Sequence, residues 1–170
     1  RTILGGALAA ALLASGATVA WAKSLNVVAS FTVLADVVQQ VGGDHVKVKS
    51  LVGPNGDPHE FEPSPDDAKN LKAADVVFVS GEGLEGWMDR LITASGYNGT
   101  PVVASEGVPT RKMEEDGKSI TDPHVWNSPK NVEIWIGNVE KALAAADPDD
   151  AKDFKANAAT YLKVIQDLDA

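Results

Sequence analysis

Short apolar runs alternate with helical repeats along most of the chain. Four stretches are apolar and rich in β-branched residues, and each of them predicts a buried strand. These stretches are residues 25–30, 46–52, 76–80 and 101–104. Helical spacing of apolar residues, or a helix-start signal, follows each of the first three. These helical segments are residues 31–41, 65–74 and 87–93. The alternation predicts an α/β fold with an open, mainly parallel four-stranded sheet flanked by helices.

The last part of the chain is helical in pattern. A helix signal that begins at Pro129 extends to residue 146, and Pro148 breaks it. A long amphipathic pattern then covers residues 149–170, with apolar side chains along one face. This pattern stops at the last residue without a capping signal, and its apolar stripe needs a covering surface. We therefore expect the sequence to be a fragment of a longer protein.

The first 22 residues have the features of a secretory signal peptide. Arg1 supplies a positive start, residues 3–19 are small and apolar, and residues 20–22 (Ala-Trp-Ala) fit the small-x-small cleavage rule. The alternative is a short membrane anchor. Because the apolar run is short for a membrane span and contains glycine and serine, export with cleavage is favoured. We expect no stable membrane insertion after cleavage.

Composition limits the class of protein and its partners. The chain has no cysteine, so we expect neither a disulfide nor a lipid-modified N-terminal cysteine. Without a lipid anchor, the mature protein is expected to be soluble in the periplasm. We also expect it to be a monomer. The net charge is −9, and it becomes −10 when Arg1 leaves with the signal peptide. An acidic surface argues against binding nucleic acid or anionic membranes. The remaining 148 residues are enough for one ordinary domain.

A loop that is rich in proline and glycine, residues 51–65, carries the strongest functional signal. Its centre is Asp-Pro-His at residues 57–59, and the same tripeptide recurs at residues 122–124. The chain has three histidines, and two of them, His59 and His124, lie in this repeated frame. Because proline fixes φ, such a loop is rigid, which suits a metal or a charged ligand.

Both histidines lie in loops that follow predicted strands of the parallel sheet. In such sheets ligands bind outside the carboxyl ends of the strands, so both loops are predicted to face one crevice. Neutral imidazole is a good ligand for zinc, manganese and iron. The alternative is that His59 and His124 only cap helices or satisfy local backbone groups. Two ligands also leave a transition-metal site incomplete. The sequence leaves the role of the neighbouring carboxylates open: they are metal ligands, hydrogen-bond acceptors for the histidine ligands, or solvated charges. These carboxylates are Asp57, Glu60, Glu62 and Asp122.

Other candidate motifs carry less weight. The glycines of Gly81-x-Gly-x-x-Gly86 match a dinucleotide fingerprint, but they follow the third strand, so a turn or packing role is favoured. His45 is interpreted as structural or exposed. Residues 111–121 are polar and predict an exposed loop. The tryptophans are interpreted as core or pocket wall, and they are Trp87, Trp126 and Trp135.

Four ordered motifs resemble the zinc/manganese-binding solute-binding proteins of ABC transporters. These motifs are residues 52–65, 73–79, 83–89 and 122–126, and the resemblance extends from about residue 25 to the end. It implies two lobes joined by one long, rigid helix, with the metal held between them. His59 and His124 match the two histidine ligands of the N-terminal lobe. The resemblance places that lobe at residues 23–146 and the start of the linking helix at residues 147–170. The other ligands, a histidine or glutamate and an aspartate, would come from a second lobe that the sequence lacks.

The resemblance implies a transport role and no enzymatic activity. The protein would capture a divalent transition metal, Zn²⁺ or Mn²⁺, in the periplasm and deliver it to a membrane permease driven by an ATPase. Residues 111–121 lack the histidines found there in many zinc members, although imidazole-rich sites favour zinc over manganese. Iron also stays open. The alternatives are a metal-dependent hydrolase with Glu60 or Glu62 as general base, and a metal-binding adhesin or chaperone module.

Overall fold

The computed structural model of the protein describes residues 24–168. Four parallel strands form one sheet in the order β2-β1-β3-β4. They are β1 (Leu25–Phe31), β2 (Val46–Val52), β3 (Val76–Val79) and β4 (Val102–Val103). This arrangement confirms the predicted α/β fold. The predicted signal peptide, residues 1–22, lies outside the described residues.

Five α-helices accompany the sheet. They are α1 (Thr32–Gly42), α2 (Pro65–Lys72), α3 (Met88–Ser95), α4 (Pro129–Ala146) and α5 (Ala151–Leu168). Helix α2 begins at the predicted cap. The Ser64 hydroxyl accepts a bond from the Asp67 backbone N–H, and the Asp67 carboxylate accepts one from the Ser64 N–H. This reciprocal pair satisfies two backbone donors and fixes the point where the loop carrying His59 ends.

The central strand β1 is covered on both faces. Consecutive side chains of a strand point to opposite faces, and every residue from Val27 to Phe31 is buried. Helices α1, α4 and α5 pack against one another, and α2 packs against α3. The side chains that fill the core between these layers include Leu34, Val38, Phe78, Trp135 and Phe154. Among the described residues, no helix is long and apolar enough to span a membrane.

Residues 111–121 form a hairpin, so the prediction of an exposed loop was wrong in its secondary structure. Strand β5 (Lys112–Glu115) pairs antiparallel with β6 (Lys118–Thr121). The turn places Asp116 at φ 50° and Gly117 at φ 72°. Two-residue hairpin turns that match the strand twist need positive φ at both central residues, and Asp-Gly is a strong signal for them. The hairpin is largely exposed, as predicted.

The glycines after β3 form a turn. Gly81 and Gly83 have φ of 94° and 84°, and Glu82 between them has φ 55°. A Cβ atom on Gly81 would lie 2.5 Å from a methyl carbon of Val103. The Glu85 carboxylate accepts bonds from the backbone N–H of Ser80 and Gly81 and from the Ser30 hydroxyl. These contacts support the predicted turn and packing role.

Candidate metal centre

Two loops at the carboxyl end of the sheet bring His59 and His124 together. His59 follows β2, and His124 follows the hairpin that comes after β4. Their Nε2 atoms lie 3.2 Å apart, and their ring centroids are 5.1 Å apart with the planes inclined at 51°. The residues are 65 positions apart in sequence. The sequence prediction that both loops face one crevice is therefore confirmed, whereas their role as metal ligands stays a prediction.

The separation of the two Nε2 atoms suits one bound ion. Two nitrogen ligands at about 2.0–2.1 Å from a tetrahedral ion lie about 3.3 Å from each other. The observed distance is 3.2 Å. Two bare lone pairs at this distance would repel, so the approach requires a proton or a cation between them. The separation therefore fits two ligands of a common ion, and it equally fits an N–H···N hydrogen bond between the two rings.

Asp122 fixes the orientation of His124. Its Oδ1 accepts a bond from the backbone N–H of His124 at 3.0 Å and one from the ring Nδ1–H at 2.8 Å. A neutral imidazole has a single N–H, so a proton on Nδ1 leaves the lone pair on Nε2. Nε2 is the atom that faces His59. The contact thus holds His124 in the tautomer that can bind a metal through Nε2.

Arg111 holds the other oxygen of the same carboxylate. Its Nε donates to Asp122 Oδ2 at 2.7 Å. The bonds from the backbone and ring of His124, together with Arg111, lower the pKa of Asp122 from 3.8 to about 2. Asp122 therefore remains an acceptor-only carboxylate throughout the range in which imidazole is neutral.

The lowered pKa of Asp122 predicts a loss of stability in strong acid. The unfolded chain takes up the proton first, so the stabilisation is complete above the unfolded pKa near 4 and disappears as pH falls through about 2. Urea unfolding of metal-free protein between pH 5 and pH 2 measures it. Wild type should be more stable than Asp122→Asn at pH 5, and the difference should shrink towards pH 2. A difference that stays constant over this range would contradict the assignment.

The loop of His59 repeats only part of this arrangement. Asp57 Oδ1 accepts the backbone N–H of His59 at 2.8 Å, as Asp122 does for His124. In residues 24–168, however, no carboxylate bonds the ring of His59. Trp87 anchors this loop, because its indole Nε1–H donates to the Pro58 carbonyl at 2.8 Å and its ring packs on Phe61. The backbone of the loop is therefore held, while the exposed His59 ring keeps more freedom.

A cavity of about 450 Å³ opens in front of the histidine pair. Two carboxylates that the sequence interpretation missed, Glu82 and Glu115, line it together with apolar side chains of the hairpin. Glu82 lies within the glycine turn and Glu115 within the polar stretch of residues 111–121. Neither pattern predicts a position near His59. Glu60 and Glu62, which the sequence did suggest, are exposed. The remaining lining residues are Gly83, Met113, Ile120, Thr121 and Pro123.

Aromatic side chains support the pair from behind. The Trp126 ring lies 5.4 Å from that of His124 and 4.8 Å from that of Phe31, measured between centroids. Trp135 is fully buried behind them, with its ring 6.5 Å from that of Trp126. The interpretation of the tryptophans as core or pocket wall is confirmed.

The third histidine, His45, forms a cluster with two aspartates at the start of α5. Donor atoms of His45, Asp150 and Asp153 lie within 4.8 Å of one another. However, His45 Nδ1 contacts Asp150 at 2.7 Å, whereas Nε2 contacts Asp153 at 3.2 Å. Since the two nitrogens point away from each other, one ion could not bind this ring and both carboxylates as they stand. The cluster links the start of α5 to the turn that follows α1, in line with the structural interpretation of His45.

Comparison with known families gives the molecule its context. Residues 27–170 match the family model of ZnuA, described as the periplasmic component A of a zinc-uptake complex. The chain belongs to this family. Among ZnuA-family relatives, the manganese-binding lipoprotein MntA of Bacillus subtilis is 38% identical over 151 residues, which are 86% of this chain and 48% of MntA. The iron-binding protein YfeA of Yersinia pestis is 34% identical over 149 residues, covering 88% of this chain and 48% of YfeA.

Solved structures of ZnuA-like proteins share the fold. A manganese-bound periplasmic metal-binding protein from Candidatus Liberibacter asiaticus matches with a TM-score of 0.78 and 30% identity, over 85% of this chain and 54% of that one. Zinc-bound AdcA from Streptococcus pneumoniae matches with a TM-score of 0.74 and 31% identity, over 86% and 31% of the two chains. The predicted family and fold are thereby confirmed. The chain spans about half the length of the curated relatives that it matches.

Proposed function

We propose that this chain is the N-terminal lobe of a solute-binding protein that captures a divalent transition metal for an ABC transporter. His59 and His124 would be two of the metal ligands. The observation that carries the proposal is the 3.2 Å separation of their Nε2 atoms, with the Nδ1–H of His124 bonded to Asp122. A histidine pair preset in this way can replace two water molecules of a hydrated ion without rebuilding the loops.

The proposed site has two ligands among the described residues, His59 and His124. A closed transition-metal site usually takes four ligands, so we propose that a second lobe supplies the rest. In this arrangement residues 23–146 form the first lobe and residues 147–170 begin the linking helix. We also propose that residues 1–22 direct a monomeric protein to the periplasm, where a permease and its ATPase receive the metal.

Zn²⁺ and Mn²⁺ are the metals that we propose, with iron as the third possibility. The names of the relatives include manganese and iron, and the solved structures include manganese-bound and zinc-bound proteins. Imidazole suits zinc and iron, and a carboxylate ligand shifts preference towards manganese. The third ligand would therefore decide the metal. Glu60 and Glu62, the candidate bases of the hydrolase alternative, are exposed, and we propose no catalytic role for them.

Metal binding and uptake together test this function. Protein from the complete coding region is titrated with Zn²⁺, Mn²⁺ and Fe²⁺ by calorimetry with a competing chelator. We expect one ion per chain and a clear order of affinity. Proteoliposomes that carry the partner permease and ATPase should take up that metal only when the protein and ATP are both present. Uptake that is equally fast without the protein would refute the transport role.

A further inference from the structure

Arg111 and Asp122 close the base of the β5–β6 hairpin. Arg111 directly precedes β5, and Asp122 directly follows β6. The Asp122 backbone N–H donates to the Arg111 carbonyl at 2.9 Å, which extends the hairpin ladder one step beyond the Lys112–Thr121 pair. The Arg111 side chain then adds its 2.7 Å bond to Asp122 Oδ2. Asp122, the residue that orients His124, therefore closes the base of the hairpin through both its backbone and its side chain.

Both oxygens of the Asp122 carboxylate are committed. Oδ1 accepts the two bonds from His124, and Oδ2 accepts the bond from Arg111. Rotation of the carboxylate about its Cβ–Cγ bond would break contacts on both sides. The Asp122 side chain is also only 10% exposed, so solvent does little to replace a lost partner. Arg111 is therefore one of the groups that hold the carboxylate to which the His124 ring is bonded.

We propose that Arg111 is a positioning residue for His124 that couples the hairpin to the metal centre. This proposal rests on the proposed function for its effect on metal binding. Without Arg111, Oδ2 of Asp122 loses its side-chain partner. The carboxylate can then turn away from the His124 ring. Arg111 would thus hold the His124 ring in place through the Asp122 carboxylate.

The exposed position of Arg111 allows its effect on the metal site to be separated from an effect on the stability of the fold. Its side chain is 79% exposed, so its replacement removes no packing from the core. Loss of Arg111 should therefore alter the metal site more than the stability of the lobe. Lys112 offers a matched control, because it is an adjacent exposed cation whose Nζ also closes the hairpin, donating to Thr121 Oγ1 at 3.0 Å.

The test compares Arg111→Ala, Arg111→Lys and Lys112→Ala in protein from the complete coding region. Affinities for Zn²⁺ and Mn²⁺ are measured by competition calorimetry. Long-range ¹H–¹⁵N spectra of the metal-free proteins report the protonation of the His124 ring nitrogens. Arg111→Ala should weaken zinc binding by about threefold to tenfold, less than the 10–100-fold typical of a direct partner of a ligand. Manganese binding should weaken as well, because both ions would use the His124 ring.

Three results support the proposal together. Arg111→Ala should shift the His124 ring signals, Arg111→Lys should restore part of the affinity and of the signals, and Lys112→Ala should leave both unchanged. Wild-type His124 signals in Arg111→Ala, or an equal loss of affinity in Lys112→Ala, would overturn it. If the wild-type protein binds no metal, the proposed function fails, and the spectra of metal-free protein still decide whether Arg111 positions His124.

Discussion

Replacing His59 or His124 with alanine should weaken metal binding by about 100-fold or more. The two Nε2 atoms are 3.2 Å apart, so each substitution removes one of the ligands that the geometry offers to the ion. Binding free energies of about 10–16 kcal/mol shared among four ligands correspond to about 3 kcal/mol for each, which is about 100-fold in affinity. Competition calorimetry of protein from the complete coding region, near pH 7.5, measures this loss.

His45→Ala is the control for this experiment. It removes the third imidazole of the chain, which contacts Asp150 and Asp153 at the start of α5 and takes no part in the pair. Its metal affinity should equal that of wild type even if its stability falls. Combining His59→Ala with His124→Ala should abolish measurable binding. Wild-type affinity in both single variants would remove the histidine pair from the site and with it the basis of the proposed function.

Local sequence signals determined most of the fold. The four apolar stretches became the four strands, and the Ser64-Pro65 start of α2 was visible because its cap is made within four residues. Placement of His59 and His124 at one crevice could also be predicted, since all strands of a parallel sheet present their following loops at its carboxyl end. Each of these predictions depends on a contact that is local or is imposed by topology.

The difference between the two Asp-Pro-His frames could not be predicted. Both aspartates accept the backbone N–H two residues on, which the tripeptide specifies. Only the ring of His124 also bonds its aspartate in the described structure, and Arg111 bonds the other oxygen of that carboxylate. That contact depends on a residue 11 positions away on the far side of a hairpin.

The hairpin itself was missed for a related reason. Its strands are exposed, so they lack the apolar alternation that marks a half-buried strand. Met113 and Ile120 form one apolar cross-strand pair, and Asp116-Gly117 supplies the turn. The Asp-Gly dipeptide is a signal for a hairpin turn. The polar residues around it show no strand pattern, and they led to the prediction of a loop.

Asp122→Asn should weaken metal binding by about 10–100-fold, the usual cost of losing a group that orients a histidine ligand. The amide oxygen can still accept the backbone N–H of His124, but the amide has no charge to attract the ring N–H. If its NH₂ group instead turns towards Nδ1, it donates there, and the ring proton moves to Nε2. His124 would then present an N–H in place of a lone pair to the ion. Calorimetry with a competing chelator measures the affinity.

Asp57→Asn is the control that separates the loss of the bond to the histidine ring from the loss of a negative charge. Asp57 occupies the same place in the other frame and accepts the backbone N–H of His59 at 2.8 Å, without a described bond to the ring. Its substitution removes the same charge from the same position of the repeated motif, two residues before a histidine of the pair. We therefore expect a much smaller loss of affinity than for Asp122→Asn. Equal losses would mean that the effect comes from charge near the site, and that the bond between Asp122 and the His124 ring does not prepare the ligand.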